Sequence, residues 1–102
     1  MARPLHHPSA DEISLDGILH ALADPVRRSI IAKLIKEGEK NCAETCGGMA
    51  PSTISHHHRI LRENGLIRSE KRGVAVVNSV RQAELDARFP GLLAAILQQH
   101  HI

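Results

Sequence analysis

Phe89 is the only Phe, Tyr or Trp in a chain of 102 residues. A core made of Leu, Ile, Val and Ala buries less area per side chain than an aromatic one. A short chain also buries a smaller share of its surface, so pairing with a second copy is a natural source of stability. Long apolar runs are missing too. None approaches the ~20 residues of a membrane span, and Met1-Ala2-Arg3-Pro4 leads into polar residues without the apolar segment of a signal peptide. The expected location is the cytoplasm, with no membrane partner. There Cys42 and Cys46, the two cysteines, are thiols before they are a structural disulfide. No nucleophile–base pairing, phosphate-binding glycine loop or carboxylate pair stands out, so no enzyme is expected.

Charge is not lopsided either. The net charge of +2 permits a polyanionic partner without demanding one, and distribution has to decide. From Arg59 to Arg72 the cations Arg59, Arg62, Arg68, Lys71 and Arg72 meet only two acids, Glu63 and Glu70. His58 adds to the excess when protonated. Such a stretch is either a solvated face or a phosphate footprint.

What is present reads as one domain over 12–98, between a flexible arm (1–11) and a short tail (99–102). The arm carries Pro4, Pro8 and the pair His6-His7, and the tail carries His100-His101; both pairs read as bystanders. From Glu12, Leu15, Ile18, Leu19 and Leu22 recur at helical spacing. Asp24-Pro25 restarts a helix, because Asp caps free N–H groups and Pro fits the first helical position. Its apolar face is Val26, Ile30, Ile31, Leu34 and Ile35, with Arg27, Arg28 and Lys33 off that face and Gly38 at its end. A short polar helix over Asn41–Cys46 follows. Gly47-Gly48 breaks it, and Pro51 opens a helix that Gly65 stops after Asn64. Helix, glycine-containing turn and helix form a supersecondary unit used to read DNA. Then Leu66–Ser69 and Val74–Val80, joined by Glu70-Lys71-Arg72-Gly73, read as a β-hairpin. A basic hairpin directly after a helix-turn-helix is a wing. Arg81–Phe89 returns to helix, Pro90-Gly91 interrupts it, and Leu92, Leu93, Ile96 and Leu97 form a closing apolar stripe. The fold class is mainly α with a β-hairpin wing: a winged helix-turn-helix.

The helix Pro51–Asn64 has two faces. At about 100° per residue, His57, His58 and Leu61 lie within about 60° of Ile54 and form a core stripe. Ser52, His56, Arg59 and Glu63 gather opposite, with Ser55 and Arg62 on their shoulder. Hydroxyls, imidazole and guanidinium groups reach base edges or phosphates. Consecutive helical residues point in different directions, so His56-His57-His58 cannot converge on one metal ion. His58 stands where an apolar side chain belongs. It is read as a buried ring bonded to a backbone carbonyl, or as a pH-sensitive core position.

The segments Ala21-Leu22-Ala23-Asp24-Pro25-Val26-Arg27-Arg28, Ser52-Thr53-Ile54-Ser55-His56-His57 and Ile60-Leu61-Arg62-Glu63-Asn64-Gly65-Leu66-Ile67, with the Gly73 wing, resemble the ArsR-type winged-helix family over residues 13–97. That resemblance implies a small dimeric repressor of an inverted-repeat operator in double-stranded DNA, released by an inducer that is often a metal or metalloid ion, reactive sulfur or an oxidant. It implies that Ser52, Thr53, Ser55, His56 and Arg59 read or clamp the major groove, with Arg62 beside them and Lys71 and Arg72 at the wing tip. The homodimer would form through the first and last helices: Leu15, Ile18 and Leu19 with Leu92, Leu93, Ile96 and Leu97. Where the family usually has an apolar residue, this chain has His58.

Cys42 and Cys46, at i and i+4, would share a helical face about 6 Å apart. They are bystander thiols, a redox or electrophile switch, or a site for a metal or metalloid ion. Cys42 falls off the family's usual ligand position. The acid-and-histidine site of its last helix is not reproduced around Asp86 and Arg88, and the cysteine pair of its persulfide sensors is absent. A different class of function is a winged helix kept for protein contacts, with no DNA bound.

Overall fold

The computed structural model describes residues 5–41 and 48–100. Its first regular element is a 3₁₀ turn, Ala10–Glu12, closed by the Glu12 carboxylate accepting Ser9's N–H at 2.8 Å. Helix α1 (Leu15–Ala21) begins three residues later than the sequence spacing suggests. Ser14 is its cap, taking the Gly17 N–H on its hydroxyl at 3.0 Å. Helix α2 (Pro25–Glu37) starts as read: Asp24 accepts the N–H groups of Val26 and Arg27 at 2.7 and 3.2 Å. Gly38 closes it with a φ of +85°.

Strand β1 (Lys40–Asn41) follows, which the sequence reading missed. Asn41 lies in this strand; the rest of the expected helix Asn41–Cys46 lies outside the described residues. Helix α3 (Pro51–Glu63) has Asn64 as its C-cap, in line with the expected span. Strands β2 (Ile67–Arg72) and β3 (Ala75–Val80) form the hairpin, and the sheet order β1-β3-β2 is antiparallel throughout. Strand β2 runs three residues further than expected, and β3 starts one residue later. The connection is only Gly73-Val74, with Gly73 at a φ of +65° and Val74 not left-handed, which suits a two-residue turn with glycine first. Lys71 and Arg72, expected at the tip, therefore sit in the ladder opposite Val76 and Ala75. Helices α4 (Gln82–Arg88) and α5 (Leu92–Gln98) end the fold.

One core joins these elements. Ile18 and Ala21 of α1, Ile30, Ile31 and Leu34 of α2, and Ile54 and Leu61 of α3 meet Leu66, Ile67, Leu85 and Leu93. Ile35, at the margin of the α2 face, is exposed. A polar seam welds β1 to the hairpin: the buried Asn78 accepts from the Ser69 hydroxyl at 2.7 Å and donates to the Lys40 carbonyl at 3.4 Å. Such a pair is tolerated in a core because its hydrogen bonds are made internally.

Three basic residues have structural duties that helical periodicity does not show. Arg27 is buried rather than standing off the face of α2. Its Nε donates to the Ala21 carbonyl at 2.7 Å and its Nη2 to the His20 carbonyl at 3.3 Å, so it satisfies the open end of α1. Arg81, also buried, donates to the Pro8 carbonyl at 2.8 Å. Arg28 Nε donates to His100 Nδ1 at 3.1 Å, and the Ser29 hydroxyl lies 3.2 Å from its Nε2, so His100 is tied to α2 rather than idle in a tail. The segment expected as a flexible arm is likewise seated on the domain from Leu5 onward, with Pro8 buried.

Candidate nucleic-acid interface

Helix α3 separates its side chains as the wheel requires. Ile54, His57, His58 and Leu61 are buried, while Ser52, Thr53, Ser55, His56 and Arg59 are exposed and Arg62 is half-buried. An open cleft of about 610 Å³ runs along the outward face. Ser52, Ser55, His56, His58, Arg59 and Arg62 line it from α3, Val76 from β3 and Leu5 from the N-terminal segment. The cleft thus joins the outward face of α3 to the wing.

The inward face fixes the helix. His58 Nδ1 lies 2.9 Å from the Ile54 carbonyl, which is the satisfied-ring reading of that position. Burial lowers its pKa below 6.5, and the carbonyl bond offsets this in part. His57 Nδ1 lies 3.4 Å from Arg27 Nη1. Burial is the first cause of its lowered pKa; Arg27 adds to it and Asp24 opposes it. Both rings are thereby held neutral near pH 7, and Arg27 clasps α1, α2 and α3 at one point.

The wing cations are not equivalent. Arg72 Nη2 lies 2.8 Å from a Glu39 carboxylate oxygen and 3.4 Å from one of Glu70. Arg68 pairs with Glu84 at 3.3 Å, a carboxylate it shares with Arg81 at 2.5 Å. Among the described residues Arg59 and Lys71 make no ion pair. The sequence footprint missed Glu39 and Glu84, which reach these arginines only through tertiary contacts. It also missed Leu5, for which no local signal exists.

Of the residues expected at a dimer interface, Leu15 and Leu19 are 46% and 48% exposed, and Leu92, Ile96 and Leu97 are half-buried. Ile18 and Leu93 are corrections: at 2% and 4% exposed they belong to the protomer's own core. Each lies on the inner side of its helix, turned from its exposed neighbours. Cys42 and Cys46, with the metal or metalloid site read there, lie outside the described residues. Among the described residues no three His, Cys, Asp or Glu side chains cluster to hold a metal ion, and no helix is long and apolar enough to cross a membrane.

A family model described as bacterial regulatory protein, arsR family, matches residues 24–69, which hold α2, β1, α3 and the start of the wing. Among solved structures, an ArsR family transcriptional regulator aligns with a TM-score of 0.66 at 26% identity, over 88% of this chain and 92% of that one. A possible transcriptional regulator for arsenical resistance aligns at 0.62 and 26% identity, over 87% of this chain and all of that one. The transcriptional repressor BigR from Xylella fastidiosa shares the fold at 0.65, with 21% identity over 86% and 87% of the two chains. No curated protein matches. The matched segment, the winged helix built around it and these likenesses make the chain similar to the ArsR-family transcriptional regulators.

Proposed function

We propose that this chain is a DNA-binding transcriptional regulator, a repressor that holds an inverted-repeat operator as a homodimer and lets go when an inducer acts. The carrying observation is the division of α3. Ser52, Thr53, Ser55, His56 and Arg59 stand free on one face, while the other is pinned in the core by Ile54, His58 and Leu61. A rigid helix with free hydrogen-bonding groups outward suits the major groove, where base edges carry a distinct pattern of donors and acceptors. Arg62, Lys71 and Arg72 then serve the phosphates, whose neutralisation supplies affinity rather than specificity. Exposed Leu15 and Leu19, with Leu92, Ile96 and Leu97, supply an apolar face for a second copy, and two-fold pairing would set two recognition helices on two half-sites.

Release would act through Cys42 and Cys46, by thiol oxidation or an electrophile, or by a metal or metalloid ion. They stand in the chain between β1 and α3. The likeness to a possible regulator for arsenical resistance favours a metalloid among the inducers.

The test is binding to the chain's own upstream DNA and to unrelated DNA over a range of salt. Binding should weaken steeply with salt, and Arg59→Ala should erase the preference between the two duplexes. Salt-insensitive binding, or none, sinks the repressor reading and returns the protein-contact module. Repeating the assay with reduced, oxidised and arsenite-treated protein, and with Cys42→Ser and Cys46→Ser, identifies the trigger. If all states bind alike, the cysteines are not the switch.

A further inference from the structure

The chain ahead of α1 is fastened to the wing and to α4 by hydrogen bonds. His7 Nε2 accepts the backbone N–H of Ser69 at 2.9 Å. The Pro8 carbonyl accepts from Arg81 at 2.8 Å. Arg88 donates to the carbonyls of Ala10 and, at 2.8 Å, of Ile13. Ser69 lies in β2, whose only strand partner among the described residues is β3, so its N–H opens on the outer edge of that sheet. An unpaired edge needs cover, and His7 supplies it. Edge cover alone accounts for His7 but not for what lies before it. The chain continues to Leu5, which forms part of the wall of the cleft that Ser52, Ser55, His56 and Arg59 border. A duplex seated on those four side chains closes the cleft and meets Leu5 as well.

The electrostatics of the place agree. The charges that act on His7 are those of Arg68, Arg62 and Arg81, all cations. Glu84 neutralises Arg68 and Arg81 in part, while Arg62 Nε is buried without a hydrogen-bond partner among the described residues. His6, beside Leu5, is exposed. The surroundings of the segment therefore suit a polyanion rather than a cationic or neutral peptide.

We propose that residues 5–8 are a third DNA-contacting element beside α3 and the wing. Leu5 gives an apolar contact in the groove, His6 a donor to the phosphate backbone, and His7 is the positioning residue that holds both in place. The inference rests on the operator-binding reading, and its test separates the two.

The full chain is titrated by fluorescence anisotropy onto its upstream duplex and onto a scrambled duplex of equal length, with thermal unfolding of each variant recorded alongside. Leu5→Ala and His7→Ala should each weaken upstream binding about fivefold or more while leaving the unfolding midpoint close to wild type. Leu5→Ala should change scrambled-duplex binding little. His7→Gln keeps an acceptor for the Ser69 N–H and should recover most of the affinity that His7→Ala loses. Unchanged upstream affinity in both alanine variants makes the segment an edge cover only and overturns the proposal. Tighter binding overturns it as well, since the segment would then obstruct the groove. Wild-type protein that does not distinguish the two duplexes overturns the operator reading and this proposal with it. Wild-type discrimination with indifferent variants removes the segment alone.

Discussion

His58 returns a ring proton to its own helix: Nδ1 stands 2.9 Å from the carbonyl of Ile54, four residues back. The ring is 2% exposed, and burial lowers its pKa from 6.5. A lowered histidine pKa means the unfolded chain binds a proton that the folded chain refuses. Its stabilising effect is complete above pH 6.5 and is lost as pH falls through the folded value. His57 and His7 are shifted the same way, burial being the first cause in each. Each such group steepens the pH dependence by up to about 1.4 kcal/mol per pH unit. Urea midpoints should therefore fall between pH 7.5 and pH 5. His58→Leu, which puts an apolar side chain into an apolar site, should flatten that slope. An unaltered slope would show that His58 is not a source of the acid sensitivity.

The pairing of Arg72 with Glu39 and Glu70 separates it from Lys71, its neighbour in β2. A guanidinium already held by carboxylates releases fewer counterions when a phosphate arrives. Lys71→Ala should therefore lower the slope of log affinity against log salt by about 0.9, the value of one phosphate contact. Arg72→Ala should lower it by less. Glu39→Gln removes the nearer carboxylate and should tighten DNA binding, with most of the gain lost again in the double variant with Arg72→Ala. Equal slopes for the two single variants would mean that DNA strips Arg72 from its partners.

Gly65, after the C-cap of α3, holds a φ of +82°. A Cβ there would lie 2.6 Å from Ile13 Cδ1 and nearer still to Cγ1. Gly65→Ala meets two penalties, left-handed backbone strain and a clash with a buried side chain. Together they should cost about 2–4 kcal/mol. Ile13→Ala removes the clash and not the strain. The double variant should therefore fall short of the summed losses by about 1 kcal/mol or more, while strict additivity would place the clash elsewhere.

Much of the candidate interface was legible because it rests on local chemistry. Asp24-Pro25 and Gly38 are capping signals, and they bound α2 as read. The faces of α3 follow from helical geometry, including the buried placing of His58 against its chemical type. The illegible parts depend on distant segments. Strand β1 is two residues long and takes its partner from residues 77 and 78, so no periodicity announces it. Arg27 has the spacing of a surface cation and becomes buried only because the end of α1 offers carbonyls to it. The hairpin turn was placed too early because Lys71 and Arg72 look like loop residues, whereas Gly73-Val74 makes the reversal, with Gly73 taking the positive φ.

Ile18 and Leu19 are adjacent in α1 and should behave oppositely when changed. Ile18, 2% exposed, packs in the protomer core, so Ile18→Ala should cost about 2–4 kcal/mol of stability. Leu15 and Leu19 lie one turn apart, and both are about half exposed. Exposed leucines at that spacing make an apolar stripe that water alone does not favour. Leu15→Glu with Leu19→Glu should leave the fold intact by circular dichroism, and sedimentation velocity should show the species shifting from dimer to monomer. If pairing holds two recognition helices on one operator, the same variant should lose far more affinity for an inverted repeat than for a single half-site, because the gain from linking two contacts disappears. A variant that stays dimeric would place the interface away from α1, and a monomer with undiminished operator affinity would remove the need for pairing.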